Sequence, residues 1–363
     1  MPNLPIHTAG DTAETPRIAA IVQPLKASAD TLRLQILQLL QHDSYGVLEL
    51  CTLLKTKQSA MSHHLKVLAS AELVTTRREG NAIFYRRALP TGDRGWLEAL
   101  FAALDATPLC ATLQAAVDRA GRLRSERSRQ FFSANVDRFK AQQDLISPID
   151  DYREAVNEIL DALFAAPDTE RDRENKQAIE IGPGDGSYLA DLAQRFDHVI
   201  ALDNADAMLQ RCRDTATQQA LGNIGFVLGD TAVLRQLDAE ITGGSNAARR
   251  ANCVVANMVL HHNASPQTIF ANIAPLLADR GAFVVAELCQ HDQHWVREAA
   301  GDVWLGFNEG QLDHWAAQAG LEKGPSSYTA LKNGFRIQIH SYINNYSQSG
   351  EKPLPTESQT LAK

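Results

Sequence analysis

The sequence predicts a multidomain protein: a small α+β domain, a helical connector, and an α/β domain in the C-terminal half. The chain has 363 residues, and at roughly 150 residues per domain this length corresponds to two domains or slightly more. Residues 18–89 show short helical patterns followed by one hairpin, whereas in residues 178–343 short β-rich runs alternate with helical stretches. That alternation is typical of a parallel sheet flanked by helices.

Charge is divided unevenly between the two halves. The formal net charge of -8, taken for the whole chain, argues against a nucleic-acid partner, because phosphate backbones select basic surfaces. Residues 1–140, however, contain 18 Lys and Arg against 13 Asp and Glu, so the acidity belongs to the remainder. The charge pattern therefore leaves nucleic-acid binding open for the N-terminal part.

The composition indicates a cytoplasmic protein without disulfides or a membrane segment. Its five cysteines include no Cys-x-x-Cys pair, which favours reduced thiols. We find no signal peptide and no apolar run of the roughly eighteen residues that a membrane helix needs. The polar segments 1–15 and 346–363 are expected to be disordered.

The N-terminal domain has the pattern of a DNA-reading module. A helical stripe at residues 32–40 and a short apolar segment at 47–54 precede a helix predicted over 58–71. That last helix has one apolar and one polar face, with Met61, Leu65 and Leu68 on the apolar stripe. A recognition helix needs this division, since its polar face meets the major groove. The polar face consists of Gln58, Ser59, Ser62, His63 and Lys66.

A hairpin follows the predicted recognition helix. Residues 73–87 alternate as two strands around Gly80 and Asn81, a two-residue turn signal, and this arrangement is typical of a wing. Between residues 51 and 87 there are seven basic and two acidic residues, and we expect Arg77 and Arg78 to contact phosphates. The alternative is a helical dimerisation module with a solvated basic face.

A helical connector is predicted between the two domains. The composition of residues 92–163 is strongly helical, and the connector proper is placed at 111–150. Its Arg-rich stretch, residues 122–129, is interpreted as a solvated helix face, with a flanking phosphate contact as the alternative.

The N-terminal motifs resemble the ArsR/SmtB winged helix-turn-helix repressors. The resemblance rests on residues 58–68, on 77–80 and on Tyr85, and it places that domain at 16–110. It implies a homodimeric repressor that binds two-fold-symmetric double-stranded operator DNA. Many members sense metals through a Cys-x-Cys pair or through His and Asp on the last helix, but residues 45–51 hold a single cysteine and residues 96–113 hold no His. No metal site is therefore expected.

A glycine-rich turn opens the predicted α/β domain. A short strand at 178–181 runs into Gly182, Gly184 and Gly186, which allow close approach of backbone to a ligand. A dinucleotide fingerprint requires its third glycine at position 187, which is Ser, so a nicotinamide cofactor is disfavoured. Glu180 lies two residues before the first glycine and is expected to face the same crevice.

Three further strands each end in a polar side chain. Asp203 follows the strand at 199–202, Asp230 follows 224–228, and Asn257 follows 253–256. In open α/β sheets, ligands bind at the carboxyl ends of the strands. Asp203 is suited to accept hydrogen bonds from ribose hydroxyls, and Asp230 from an exocyclic amine.

Together these segments resemble the class I S-adenosylmethionine-dependent methyltransferase fold over residues 151–345, a Rossmann-like sheet of seven strands with residues 335–343 as the antiparallel strand. The resemblance implies S-adenosylhomocysteine or S-adenosylmethionine as the ligand. By motif, the implied contacts are Glu180, Gly182, Gly184, Gly186, Asp203, Asn204, Met208, Asp230 and Asn257. Met208 has core packing as its ordinary alternative.

Two clusters invite other chemistry. His261 and His262 are candidates for a general base or for residues that orient a loop, and the sequence assigns no catalytic residue. Cys289, His291 and His294 have metal-ligand chemistry but no clear fourth ligand. Arsenite methylation is disfavoured because the cysteines are separated in sequence.

The two resemblances combine into a functional hypothesis. The chain is expected to be a transcriptional repressor whose methyltransferase-like domain senses S-adenosylhomocysteine or S-adenosylmethionine, as in repressors of methionine-cycle genes, with the connector transmitting the signal. Residues 291–307 resemble a segment found in ArsR-type repressors fused to methyltransferase-like domains. The alternative is an active small-molecule methyltransferase that regulates its own operon.

Overall fold

The computed structural model describes residues 14–41, 43–79, 82–88, 95–164, 176–234, 250–263, 265–293, 295–296 and 301–345. These residues form two compact units. The first contains the described residues up to 135 together with those in 260–269 and 291–305. The second contains residues 136–259, 270–290 and 306 onward.

The first unit is built mainly from helices. Their bounds are α1 Glu14–Ser28, α2 Thr31–Leu39, α3 Val47–Leu53, α4 Gln58–Ser70 and α5 Gly95–Asp105. Helix α1 begins two residues inside the segment that the sequence predicts to be disordered. Asp30 caps α2 by accepting a hydrogen bond from the Arg33 N–H at 2.9 Å. The apolar stripes of these helices converge on one core, which includes Ile36, Leu40, Leu50, Met61, Leu65, Leu68, Leu97 and Phe101.

A three-stranded antiparallel sheet completes the winged-helix fold. The wing strands are β2 Val74–Glu79 and β3 Ala82–Arg87, as predicted, and their turn residues Gly80 and Asn81 lie outside the described residues. A third strand, β1 Tyr45–Gly46, pairs with β3. Sequence reasoning missed β1 because a two-residue strand has no periodicity and depends on its distant partner.

The connector is one long helix, α6 Ala111–Ile146. Its Arg-rich stretch corresponds only partly to the predicted solvated face. Arg122, Arg127 and Arg129 are exposed, but Arg124 is turned inward, with Nη1 2.6 Å from Asp43 Oδ2 and Nη2 2.7 Å from Glu49 Oε2. Neither alternative considered from the sequence applies to Arg124.

The basic excess of the wing is likewise not all on the surface. Arg87 is 9% exposed and makes a bidentate ion pair with Asp105 at 2.5 and 2.7 Å. Its guanidinium lies 4.3 Å from the centre of the Phe101 ring. Arg86 is buried to the same extent. Two of the seven basic residues between 51 and 87 therefore do not form part of an exposed basic surface.

The second unit is a seven-stranded sheet. Its strands are β4 Gln177–Ile181, β5 His198–Asp203, β6 Ile224–Leu228, β7 Ala251–Asn257, β8 Leu277–Leu288, β9 Glu322–Ala330 and β10 Arg336–Ile343. The spatial order is β6-β5-β4-β7-β8-β10-β9, in which β4 to β8 pair in parallel and β10 is antiparallel to both neighbours. The predicted seven-stranded fold with an antiparallel strand near its C-terminal end is confirmed.

Helices surround this sheet, and its central strands are apolar on both faces. The helices are α7 Arg153–Phe164, α8 Leu189–Arg195, α9 Asp206–Gln218, α10 Pro266–Ile273 and α11 Glu309–Gln318. Residues 253–257 of β7 and 281–288 of β8 are buried without interruption, as expected for parallel strands covered on both sides. The strand order reverses between β4 and β7, and ligands of open α/β sheets bind at such a reversal.

Most of the two ends of the chain lies outside the described residues, namely 1–13 and 346–363, so the expected disorder there stays a prediction. Among the described residues, no helix is both long enough and apolar enough to cross a lipid bilayer.

Candidate functional site

The outer face of α4 presents the polar residues that the sequence assigns to DNA contact. Met61, Leu65 and Leu68 are fully buried, whereas the opposite face is exposed and consists of Gln58, Ser59, Ser62, His63 and Lys66. Arg77 and Arg78 lie on β2, paired with Phe84 and Ile83, and their side chains lie outside the described residues. Helix α4 therefore has the buried apolar face and the exposed polar face that the sequence predicts for a recognition helix.

We expect Lys66→Ala to weaken binding to all DNA sequences alike and to lower the slope of log affinity against log salt by about 1, as loss of one phosphate contact does. Fluorescence anisotropy with labelled duplexes at several salt concentrations measures both effects. Lys332→Ala, which removes an exposed lysine from the second unit, is the matched control. An unchanged salt slope in Lys66→Ala would place this face away from the DNA.

A second candidate site begins at the glycine-rich turn after β4. Gly182, Gly184 and Gly186 all have positive φ, at 59°, 58° and 79°. A Cβ at Gly182 would lie 2.9 Å from Val259 Cγ2, so a side chain there is strained and crowded. The backbone conformation of the turn therefore requires glycine, and the turn lies at the carboxyl end of β4, where ligands of open α/β sheets bind.

Hydrogen bonds place the predicted side chains in a row along the carboxyl edge of the sheet. The Gly182 N–H donates to the Leu202 carbonyl on β5 at 2.8 Å, and the Gly229 N–H donates to the Asp203 carbonyl at 2.8 Å. On the other side, Ile181 of β4 is in register with Ala256 of β7. In the spatial order β6-β5-β4-β7, the strand ends thus present the segment leading to Asp230, then Asp203, the glycine turn and Asn257.

Glu180 and Asn257 are buried polar groups at this edge. They are 2% and 8% exposed. Glu180 Oε2 and both amide atoms of Asn257 have no hydrogen-bond partner among the described residues. Burial raises the pKa of Glu180 to about 8, although the nearby Asn257 amide opposes the shift. Buried polar groups ordinarily have partners, so these atoms are available to a ligand.

Asp203 ends β5 with its carboxylate partly accessible. Its Oδ1 accepts a hydrogen bond from the Ala205 N–H at 2.8 Å. Burial raises the pKa of Asp203 to about 6, against the hydrogen bonds from the Ala205 and Asn204 backbone. A carboxylate offers about four acceptor positions, so Asp203 retains capacity for two hydroxyl donors.

The remaining predicted contacts differ in exposure. Asn204 directly follows Asp203 and is half-buried, whereas Asp230 is exposed and accepts a hydrogen bond from the Ala232 N–H at 2.9 Å. Met208 is only 2% exposed within α9, an exposure that also suits its alternative role as core packing.

Sequence reasoning missed a lysine beside the glycine turn. Lys140, near the end of α6, lies 2.9 Å from Asp185 in the turn, and Arg211 of α9 donates to the Val136 carbonyl at 2.7 Å. Burial raises the pKa of Asp185, but the Ser187 hydroxyl and Lys140 more than offset this, and the pKa is lowered overall. Basic residues on a long polar helix give no sequence signal that distinguishes such a contact from solvent exposure.

The first unit holds the two histidines for which the sequence left a general base open. His261 and His262 form a short 3-10 turn after β7, and both rings lie near Asp302. Burial and the neighbouring His261 lower the pKa of His262 well below its usual value, so at neutral pH its imidazole is uncharged. Of the other cluster, Cys289 has a raised thiol pKa because of burial, and His294 lies outside the described residues.

The row of groups at the sheet edge suits a nucleoside-like ligand. The glycine turn lies at the strand ends where such ligands bind, Asp203 can bind vicinal hydroxyls, and Glu180 and Asn257 can bind polar groups that enter the crevice. All five cysteines are free thiols, and two of them, Cys212 and Cys253, are buried.

Two family descriptions match the sequence. Residues 30–76 match the family described as bacterial regulatory protein, arsR family. Residues 150–324 match a methyltransferase domain. The two matches correspond to the winged-helix part of the first unit and to most of the sheet of the second.

Three relatives share the N-terminal part. The chain is 45% identical over 67 residues to the transcriptional activator HlyU of Vibrio cholerae, covering 18% of this chain and 62% of that protein. It is 46% identical over 65 residues to the arsenical resistance operon repressor of Staphylococcus aureus, covering 17% and 60%. An uncharacterized HTH-type transcriptional regulator of Methanocaldococcus jannaschii is 43% identical over 61 residues, covering 16% and 68%. The chain thus spans about three fifths of the first two relatives.

A solved structure similar to the second unit is magnesium protoporphyrin IX methyltransferase from Synechocystis with bound SAH. It is 16% identical, with a TM-score of 0.46, and the similarity covers 61% of this chain and 99% of that one.

Proposed function

The chain belongs to the ArsR family of bacterial regulators and carries a methyltransferase domain, and from this premise we propose that it is a repressor controlled by a nucleoside effector. The effector is S-adenosylhomocysteine or S-adenosylmethionine, bound at the carboxyl edge of the seven-stranded sheet. The protein binds a two-fold-symmetric operator as a homodimer. Its targets are genes of the methionine cycle, a choice that rests on the resemblance of the whole architecture to such repressors.

One observation carries the choice of ligand: buried polar atoms without partners lie beside the glycine turn at the carboxyl edge of the sheet. Glu180 Oε2 and the Asn257 amide have no hydrogen-bond partner among the described residues, and the strand that holds Glu180 ends in the turn formed by Gly182, Gly184 and Gly186. The residues therefore fit the proposed nucleoside. Asp203 would bind the ribose hydroxyls, and Glu180 and Asn257 would bind polar groups of the amino-acid part.

Contacts inside the first unit support control of DNA binding. Residues 260–269, which follow β7, belong to the same compact unit as the winged helix, and the Ser265 hydroxyl hydrogen-bonds Asp43 beside β1. Only two residues separate Asn257 from Leu260 along the chain. A ligand that orders Asn257 can thus bias the first unit, provided that it binds one conformation better than the other.

The surface of α1 supports the proposed homodimer. Ile18, Ile21 and Leu25 are 60%, 42% and 45% exposed and are spaced to lie on one helix face. An exposed apolar stripe of this kind favours association with a second apolar surface. Sedimentation of the full chain at several concentrations tests the dimer.

Titrating labelled operator DNA with the protein, in the absence and presence of saturating S-adenosylhomocysteine or S-adenosylmethionine, tests the effector role. We expect operator affinity to change by roughly 5- to 150-fold, the usual range of coupling between two sites. Equal affinity with and without each nucleoside, when calorimetry shows that the nucleoside binds, would overturn the proposal. Transfer of labelled methyl groups to components of a cell extract would instead identify the chain as an active methyltransferase.

We expect nucleoside affinity to decrease below pH 6. The ribose hydroxyls donate to the ionised Asp203, whose pKa is raised to about 6 in the free protein, so binding is undiminished above that pH and is lost as protons compete below it. At pH 5 about ten protonated molecules exist for each ionised one, which weakens binding about tenfold. Calorimetry between pH 5 and 7 measures this change. Asp203→Asn is the control. If its nucleoside affinity depended on pH as steeply as that of the parent protein, Asp203 would be excluded as the titrating group.

A further inference from the structure

His261, His262 and Asp302 form a cluster that neither the DNA site nor the proposed nucleoside site uses. All three belong to the first unit. Their side chains are 5%, 13% and 0% exposed, so the cluster is almost completely buried. About forty residues of sequence separate the two histidines from the aspartate, and only the fold brings them together.

The separations between their polar atoms suit a shared cation better than direct hydrogen bonds. His262 Nδ1 lies 3.5 Å and His261 Nε2 lies 3.7 Å from Asp302 Oδ1, which is longer than an ordinary hydrogen bond. A zinc ion bonded at about 2.1 Å in tetrahedral geometry holds its ligand atoms roughly 3.4 Å apart. One ligand atom from each residue lies within 4.8 Å of the other two.

The orientation of the His262 ring is that of a metal ligand. The Gly301 carbonyl accepts a hydrogen bond from this ring, and Nδ1 is buried without a hydrogen-bond partner among the described residues. The donor is therefore Nε2, and in a neutral imidazole this leaves a lone pair on Nδ1. That lone pair lies 3.5 Å from a carboxylate oxygen. Ligating histidines commonly donate their second ring N–H to a backbone carbonyl in this way.

Backbone contacts hold the two halves of the cluster together. The His261 carbonyl accepts hydrogen bonds from the N–H groups of Val303 and Trp304 at 2.9 and 3.0 Å. Gly301 has a φ of 77°, and a Cβ there would lie 2.4 Å from the Phe131 ring. Glycine is thus required next to Asp302, and the surrounding chain fixes the position of the carboxylate.

We propose that His261, His262 and Asp302 bind a divalent transition-metal cation, with Zn²⁺ as the natural occupant. Two imidazoles and one carboxylate are ligands of Zn²⁺, Co²⁺ and Ni²⁺, whereas Ca²⁺ and Mg²⁺ prefer all-oxygen sites. Three protein ligands leave a fourth position for water. The cation would fasten the segment after β7 to the segment around Asp302.

Titration of the full, metal-depleted chain with Co²⁺ tests this site, because bound Co²⁺ has visible absorption bands that report its ligands. We expect one Co²⁺ per chain with bands of a four- or five-coordinate ion, displaced by one equivalent of Zn²⁺. Asp302→Asn and His262→Ala should each weaken Zn²⁺ binding by at least roughly 10- to 100-fold. Spectra of hexa-aqua Co²⁺ only, or equal affinity in the parent and both variants, would overturn the proposal.

Two controls separate loss of a ligand from loss of structure. His198→Ala removes an exposed histidine of β5 and should leave metal affinity unchanged. Operator binding by Asp302→Asn without metal reports whether the first unit remains folded in this variant. If the unit is unfolded, the Zn²⁺ affinity of His261→Gln decides whether the cluster binds the metal. The test requires no nucleoside, so its outcome is independent of the proposed effector.

Discussion

We expect Asp203→Ala to abolish the response of operator binding to S-adenosylhomocysteine and S-adenosylmethionine while leaving binding without ligand intact. Hydrogen bonds to charged groups contribute about 1.5–3 kcal/mol each, so losing two to the ribose weakens nucleoside binding by roughly 100-fold or more. Calorimetry measures the nucleoside affinity directly, and anisotropy with labelled operator measures the response.

The fold should tolerate this change. The raised pKa of Asp203 means that burial disfavours its ionised form, so removing the charge does not remove a stabilising ion. The cost is the hydrogen bond from the Ala205 N–H. Asp203→Asn retains an acceptor for that N–H but lacks the charge, and it separates the two effects. A normal nucleoside affinity in both variants would contradict the proposed site.

The sequence predicts the groups at the sheet edge because their signals are local. A strand followed by Gly182, Gly184 and Gly186 specifies a turn with positive φ, and Asp203 and Asn257 each follow a short apolar run of the length typical of a buried strand. The hydrophobic period of α4 likewise determines which of its faces is buried. In each case a few neighbouring residues contain enough information to fix the local structure.

Contacts between distant segments are not predictable in this way. The largely buried Arg124 has the same sequence surroundings as the exposed Arg122. Only the fold brings in the acidic partners that distinguish the two arginines. The sequence around Asp302 does not indicate its contact with His261 and His262, since Asp302 lies in a different segment, between a glycine and a valine. Charged residues are normally exposed, so sequence reasoning assigns such groups to the surface by default.

The largely buried Arg124 leads to the largest stability effect that we expect. Arg124 of α6 donates to Asp43, to Glu49 and to the Ser44 carbonyl, and its guanidinium lies 4.7 Å from the centre of the Tyr45 ring. Burial raises the pKa of Asp43, with Arg124 acting in the opposite direction. Without Arg124, the Asp43 carboxylate would remain buried with its principal counter-charge gone.

We therefore expect Arg124→Ala to lower the free energy of unfolding of the first unit by about 3–5 kcal/mol, the usual cost of removing one partner from a buried ion pair. Urea unfolding at pH 7, followed by circular dichroism and by loss of operator binding, measures this change. Since Asp43 would then be destabilising when ionised, the deficit should shrink as the pH is lowered and the carboxyl becomes protonated.

Arg122→Ala is the matched control, because Arg122 is an exposed arginine on the same helix and its replacement should change stability by no more than about 0.5 kcal/mol. Replacing Asp43 as well, in Arg124→Met with Asp43→Asn, removes the uncompensated charge and should restore part of the loss. Arg124→Ala as stable as Arg122→Ala would mean that the ion pairs of Arg124 do not hold α6 to the winged helix. The role of signal transmitter that the sequence predicts for the connector would then lack this structural support.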